Sequence, residues 1–230
     1  MNKVVIEKKI LSENDQIAAR LREALDGAGT LALNLISSPG SGKTLLLEKT
    51  LAALSRVYKD IRAAVLTGDI QTDNDARRLG RYGYPVRQIT TAGACHLDAR
   101  MIEKHSFGEP LDLLFIENVG NLVCPTSYDL GEDAKIVVLS VTEGEDKPLK
   151  YPGIFRKAEL MILNKIDLLP YVPFDPQLAL DNARQINPHI EVIETSCTTG
   201  AGLDLWLHWI ASRAEKKKAI HAEEADHAAV

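Results

Sequence analysis

The chain has 230 residues, 45% of them hydrophobic, 26% charged and only 5% aromatic, with a formal net charge of −5. That length suits one large α/β domain or two small ones, with a sizeable core. The acidic balance and the scarcity of stacking rings argue against a nucleic-acid or anionic-membrane partner. No apolar run approaches the ~20 residues that span a bilayer, and the opening MNKVVIEKKILSEND lacks the apolar centre and cleavage site of a secretory signal. Three cysteines, odd in number and widely spaced, point to a reducing cytosol and to metal ligands or reactive thiols, not to a disulfide framework.

Ile10, Ile17, Leu21 and Leu25 recur at helical spacing, and Ser12 with Asp15 resembles a weak capping box. They predict a helix from about Glu13 to Leu25, ended by Asp26-Gly27, after an extended stub at residues 4–6. Short apolar runs then alternate with helical stretches: LALNLI, AAVLTG, VRQIT, LDLLFIEN, KIVVLSV, LMILNK and IEVIETS. Continuous apolar strands of this kind predict an α/β fold with a mostly parallel central sheet and helices on both faces. The intervening helices are expected at 43–57, 73–82, 96–104, 177–185 and 203–214. Residues 1–28 read as an extension packing on the body, 29–214 as one domain, and the charged, Ala-rich 215–230 as a flexible tail.

The first strand runs into SSPGSGKT, which fits G-x-x-x-x-G-K-[ST] except that Ser37 stands at the first glycine. Gly40 and Gly42 let the backbone curl its N–H groups inward around phosphate, together with Ser41 and Leu45. Lys43 can reach the β- and γ-phosphates, Thr44 can offer a hydroxyl to Mg²⁺, and the following helix adds its positive N-terminal end. Motif and strand–turn–helix context coincide, which outweighs a bare glycine turn.

Asn164-Lys165-Ile166-Asp167 follows the strand LMIL and matches the N-K-x-D pattern of guanine-binding GTPases. A carboxylate on Asp167 can accept from the ring N–H and the exocyclic amine of guanine, a pair adenine lacks; sites built this way discriminate by ~10⁴ or more. Asn164 would tie the loop together and meet the base edge, and the Lys165 stem would cover the ring. Ser196 and Cys197 begin a second base-contacting loop.

Glu117 ends the strand LDLLFI, and Gly120 follows where a γ-phosphate-sensing loop is expected; GTPases read D-x-x-G here, and this chain reads E-N-V-G. Asp69 could hold Mg²⁺ through water, and Asp75 could orient the attacking water. Asp73 and Asp75 read equally well as charge complementing a helix N-terminus.

SSPGSGKT, GDIQTDNDARRL, ITTAGACHLDA, ENVGNLVCP, EGEDKPLKYP and NKIDLL together resemble the hydrogenase nickel-incorporation GTPases, the HypB family of the SIMIBI-class P-loop NTPases. The likeness spans about Ile6 to Trp209 in a consistent order. It implies a slow GTP-hydrolysing metallochaperone in the cytoplasm, a homodimer favoured by GTP, metal held at the dimer interface, and nickel delivery to a [NiFe]-hydrogenase large subunit with an accessory maturation protein. The family's N-terminal cysteine motif and any long histidine-rich stretch are absent from this sequence, so nickel storage is not expected.

Cys95 thiolate and His96 imidazole suit Zn²⁺ or Ni²⁺, and Cys124, four residues past Gly120, is the obvious third ligand. An isologous dimer could supply the rest. The bland reading is two small buried cysteines and a helix-capping histidine; the matching family motif weighs against it. Cys197 belongs to the base loop. His105, His189, His208, His221 and His227 read as surface or helix-face residues, with weak metal scavenging on a mobile tail the lesser alternative for the last two. Lys147 and Lys150 read as a solvated charged loop. Two other readings stay open: a zinc-stabilised dimerisation module whose partner delivers nickel, and a small-molecule P-loop kinase, against which NKID argues.

Overall fold

A computed structural model describes residues 3–69, 74–91, 93–105 and 107–228, with side chains in the terminal helices from residue 9 and up to residue 223. Asp73 falls outside these residues. Seven parallel strands form one sheet in the order β3-β2-β4-β1-β5-β6-β7. They are β1 (Leu31–Ser37), β2 (Ala63–Asp69), β3 (Val86–Thr90), β4 (Leu113–Glu117), β5 (Ala134–Ser140), β6 (Leu160–Asn164) and β7 (Glu191–Thr195). Each apolar run became a strand, because a parallel sheet covered on both faces leaves no polar side to mark.

The period of two is plain in β1. Leu31, Leu33 and Leu35 enter one core with Leu46, Leu47, Leu51, Leu54 and Trp206 of helices α2 (Lys43–Val57) and α8 (Leu203–Ala228). Ala32 and Ile36 face the opposite layer. That layer holds α1 (Lys3–Asp26), α4 (Ala99–Glu103), α6 (Pro152–Lys157) and α7 (Pro176–Ile186). Trp206 is fully buried and donates its indole N–H to Thr50 Oγ1 at 2.8 Å, so a large apolar surface enters the core without a stranded polar atom.

Three expectations fail. Helix α1 begins by Lys3, so there is no extended stub, and Ser12 and Asp15 lie inside the helix and do not cap its start. Val-Val-Ile reads as a strand locally, yet Glu7, Lys8 and Lys9, which follow it, are strong helix formers. Helix α4 begins at Ala99 and is capped by Asp98, whose side chain accepts from the Met101 N–H at 2.8 Å; His96 therefore stays in a loop. The region 215–228 is the continuation of α8, not a flexible tail. Its Ala, Lys and Glu favour helix, and Lys217 anchors it, pairing with Asp26 and with Asp133. Gly29 also sits under His221, since a Cβ there would lie 3.2 Å from the imidazole ring.

Short α3 (Asn74–Leu79) and α5 (Lys147–Lys150) complete the count of helices used below. β1 lies between β4 and β5, so the loops that leave the carboxyl ends of β1, β2 and β4 open onto one crevice at the point where strand order reverses.

Candidate functional site

The crevice has a volume of about 470 Å³ and is lined by Gly40, Gly42, Lys43, Thr44, Leu45, Asp69, Asp75, Arg78, Glu117 and Gly120, among others. Residues predicted for phosphate, Mg²⁺ and water thus share one wall. Gly40 (φ 78°) and Gly42 (φ 99°) take left-handed backbone conformations that L side chains rarely adopt. Gly42 immediately precedes α2, so the helix N-terminus points into the crevice. Lys43 is buried, which lowers its pKa, and its Nζ donates to Ser37 Oγ at 2.7 Å. Ser37, read above only as a departure from the motif, therefore has a definite contact; the contact spans a folded loop that spacing alone does not close.

Thr44 Oγ1 donates to Glu117 Oε1 at 2.6 Å. Glu117 is buried, which raises its pKa, and its Oε2 is a buried oxygen with no hydrogen-bond partner among the described residues. Such an oxygen is costly unless something shares it. A hydroxyl and carboxylates on one wall suit a hard divalent cation, so Thr44, Glu117 and Asp69 fit Mg²⁺ chemically. Gly120 packs on the phosphate loop: a Cβ there would meet Pro39 Cα at 3.1 Å. Asp75 lies in the first turn of α3 and also pairs with Arg78 at 3.3 Å, so it both complements the helix and faces the crevice. Arg78, which sequence reasoning passed over, holds Glu48 at 2.8 Å as well.

The segment 164–167, expected to read the base, is locked onto the phosphate loop. Asn164 is buried; its Nδ2 donates to Ser41 O at 2.9 Å, and its Oδ1 accepts from Thr195 Oγ1 at 3.1 Å. A Cβ on Gly42 would lie 2.5 Å from that same Nδ2. Lys165 holds a left-handed φ of 64°, rare for a residue with a side chain, and its Nζ donates to Gly40 O at 2.7 Å. Ser196 Oγ donates to Asp167 Oδ1 at 2.6 Å and so fixes the carboxylate. Burial pushes the Cys197 thiol up to about 11, so it is an inert packing group in this loop.

Lys147 corrects the reading of a solvated loop. It pairs with Glu143 at 3.2 Å and reaches Ser38 Oγ at 3.3 Å, while Glu143 accepts from Ser41 Oγ at 2.7 Å. These contacts brace the phosphate loop from α5. Lys150 is exposed and pairs with Asp146 one turn away.

The third cluster lies beyond Gly120. Cys95 Sγ is 2.7 Å from Cys124 Sγ and 3.8 Å from His96 Nδ1, and the three ligand atoms lie within 4.8 Å of one another. All three residues are partly accessible. The hydrogen bond to Cys124 raises the Cys95 pKa, and burial lowers that of His96, keeping a neutral imidazole available. The His96 ring stacks on Tyr128 with centroids 3.9 Å apart. Two thiols and an imidazole are a soft, borderline donor set that fits Ni²⁺ or Zn²⁺ and leaves a coordination position open.

A family model described as "CobW/HypB/UreG, nucleotide-binding domain" matches residues 31–194. The hydrogenase maturation factor HypB of Escherichia coli K12 is 52% identical over 211 residues, which cover 90% of this chain and 72% of that protein. The chain belongs to the HypB family. Crystal structures of HypB from Helicobacter pylori, in complex with nickel, and from Archaeoglobus fulgidus superpose with TM-scores of 0.82 and 0.80. Each is 40% identical, and the matches cover 89% and 88% of this chain and 96% and 99% of theirs. The resemblance read from the motifs is thereby established, along with the P-loop nucleotide-binding fold and a place among hydrogenase maturation factors. Among the described residues no helix is long and apolar enough to cross a membrane.

Proposed function

We propose that this HypB family member is a cytoplasmic GTP-hydrolysing metallochaperone. It carries Ni²⁺ on Cys95, His96 and Cys124 and assists nickel insertion into [NiFe]-hydrogenase. One observation carries the reading. A single loop runs from Glu117, bonded to the Thr44 hydroxyl, through Gly120 against Pro39, to Cys124 beside Cys95. The segment that faces the terminal phosphate therefore also supplies a nickel ligand.

Guanine is selected by Asp167: Ser196 fixes the carboxylate through one lone pair of Oδ1, and the two oxygens retain lone pairs for the ring N–H and the exocyclic amine. Backbone N–H groups at Gly40, Ser41, Gly42, Lys43, Thr44 and Leu45 cradle the phosphates. Thr44, Glu117 and Asp69 would hold Mg²⁺, which neutralises charge on the β- and γ-phosphates. Asp75 orients the attacking water, and Gly120 follows the γ-phosphate. Loss of that phosphate frees the loop and shifts Cys124 relative to Cys95 and His96.

Three donors do not complete a four-coordinate site, which supports a homodimer in which a second copy contributes the remainder. The accessory maturation protein and the hydrogenase large subunit are the expected partners in transfer. A second reading has support in the donor set, since thiolates and imidazole suit Zn²⁺ equally: the metal stabilises a GTP-dependent dimer, and a partner delivers nickel. Metal content and solution mass, measured with and without a GTP analogue, test the proposal. The first reading expects a nickel-loaded dimer with the analogue, and Cys95→Ala to abolish nickel transfer. Transfer that persists in pre-formed Cys95→Ala dimers favours the second.

A further inference from the structure

The backbone that carries Cys95 and His96 is held at alternate residues by three asparagine side chains. Asn121 Nδ2 donates to Cys95 O at 3.3 Å, Asn118 Oδ1 accepts from Leu97 N–H at 3.2 Å, and Asn14 Oδ1 accepts from Ala99 N–H at 2.9 Å. These asparagines come from different places. Asn14 projects from α1, and its Nδ2 donates to Asp129 O at 2.8 Å, so it ties the metal loop to the segment after Tyr128 and lies outside the lining of the crevice. Asn118 sits between Glu117 and the Val119-Gly120 turn and itself lines the nucleotide crevice.

Asn118 is 2% exposed, and both the oxygen and the nitrogen of its carboxamide are hydrogen-bonded. Its Oδ1 also accepts from Val119 N–H at 3.0 Å, and its Nδ2 donates to Asn34 Oδ1 in β1 at 3.3 Å. Asn34 in turn donates to Glu132 Oε1 at 3.0 Å, so the anchor behind Asn118 belongs to the rigid sheet. One oxygen thus holds an N–H of the phosphate-facing loop and an N–H next to the nickel-binding imidazole. A carbonyl oxygen accepts two bonds well only while both donors stay in its lone-pair directions. A shift of the 117–120 backbone must therefore disturb the bond to Leu97, the residue after His96.

We propose that Asn118 is a positioning residue that transmits the state of the nucleotide loop to the Cys95–His96 loop, an inference that rests on the nickel-carrying reading above. Asn14 braces the same loop from outside the crevice, so it sets nickel affinity without making that affinity depend on the nucleotide. The pair gives an internal control.

Ni²⁺ is titrated into the full chain loaded with GDP or with a non-hydrolysable GTP analogue. Coupling of this type changes affinity by roughly 5- to 150-fold between states. In wild type the two nickel affinities should differ by a factor in that range. Asn118→Ala should bring the ratio to within about twofold of one, whereas Asn14→Ala should weaken nickel binding in both states and keep the ratio. Hydrogen exchange of the metal-free wild-type protein needs no variant: protection of the Leu97 amide should change between the two nucleotides, and that of the Ala99 amide should not. A wild-type ratio retained in Asn118→Ala, or Leu97 protection that ignores the nucleotide, overturns the role of Asn118 alone. A wild-type ratio of one removes the underlying reading and this inference with it.

Discussion

The two ends of the crevice are built to different standards of completeness. At the proposed base-reading end, Asn164, Lys165, Thr195 and Ser196 close on one another and on the phosphate loop through buried or short contacts, all within one chain. At the proposed metal end, Cys95, His96 and Cys124 meet at a partly accessible spot and offer three donors among the described residues. The difference teaches what each end must do. A group that must be recognised is best met by a preorganised, closed set of partners. On the proposed function, a metal to be handed on is best held by an open set that another molecule can complete.

The largest expected effect falls on the closed end. Asp167→Asn should reduce discrimination between GTP and ATP from ~10⁴ to about 10 or less, read by competition with a fluorescent nucleotide, and leave nickel content unchanged. Next comes the open end: Cys124→Ala should weaken nickel by about 100-fold or more and leave GDP affinity within about twofold. If either substitution damages both ends equally, the ends are not separately built. Gly42→Ala attacks the interlock between the phosphate and base loops. The new Cβ would lie 2.5 Å from Asn164 Nδ2 at a φ of 99°, so about 2 kcal/mol or more of stability should be lost, with guanine nucleotide binding falling alongside.

The smallest effect is a control away from both ends. Asp112, below α8 and beside Arg62, feels burial pushing its pKa up, but hydrogen bonds from Arg62 and Lys218 outweigh it and hold the carboxyl at about 2. A depressed carboxylate stabilises the fold above its unfolded pKa near ~3.9 and loses that contribution as pH falls through the folded value. Asp112→Asn should cost about 1 kcal/mol at pH 7, allowing for solvent screening, with the deficit shrinking between pH 4 and 2. Nickel and nucleotide affinities should not move. Thermal melts across pH check this.

The strands and the glycine-rich turn before α2 were legible in the sequence because each is a contiguous pattern whose chemistry acts on its own neighbours. The Cys95–His96–Cys124 cluster was legible through the family motif, and the fold brings its three ligand atoms within 4.8 Å of one another. Contacts between distant segments were not legible. Lys147 reaches Ser38 across 109 positions, and Asn14 reaches Asp129 across 115; neither leaves a mark in local spacing. The terminal segment misled for a related reason. Its composition is that of a solvated chain, whereas Asp26 and Asp133, remote in sequence, give Lys217 something to hold.

The central claim is that the phosphate-facing loop and the nickel-holding loop act as one device. Calorimetric titration of Ni²⁺ into the wild-type chain, once with GDP and once with a non-hydrolysable GTP analogue, tests it most directly. The account predicts affinities that differ by roughly 5- to 150-fold. Identical affinities in the two states would contradict it.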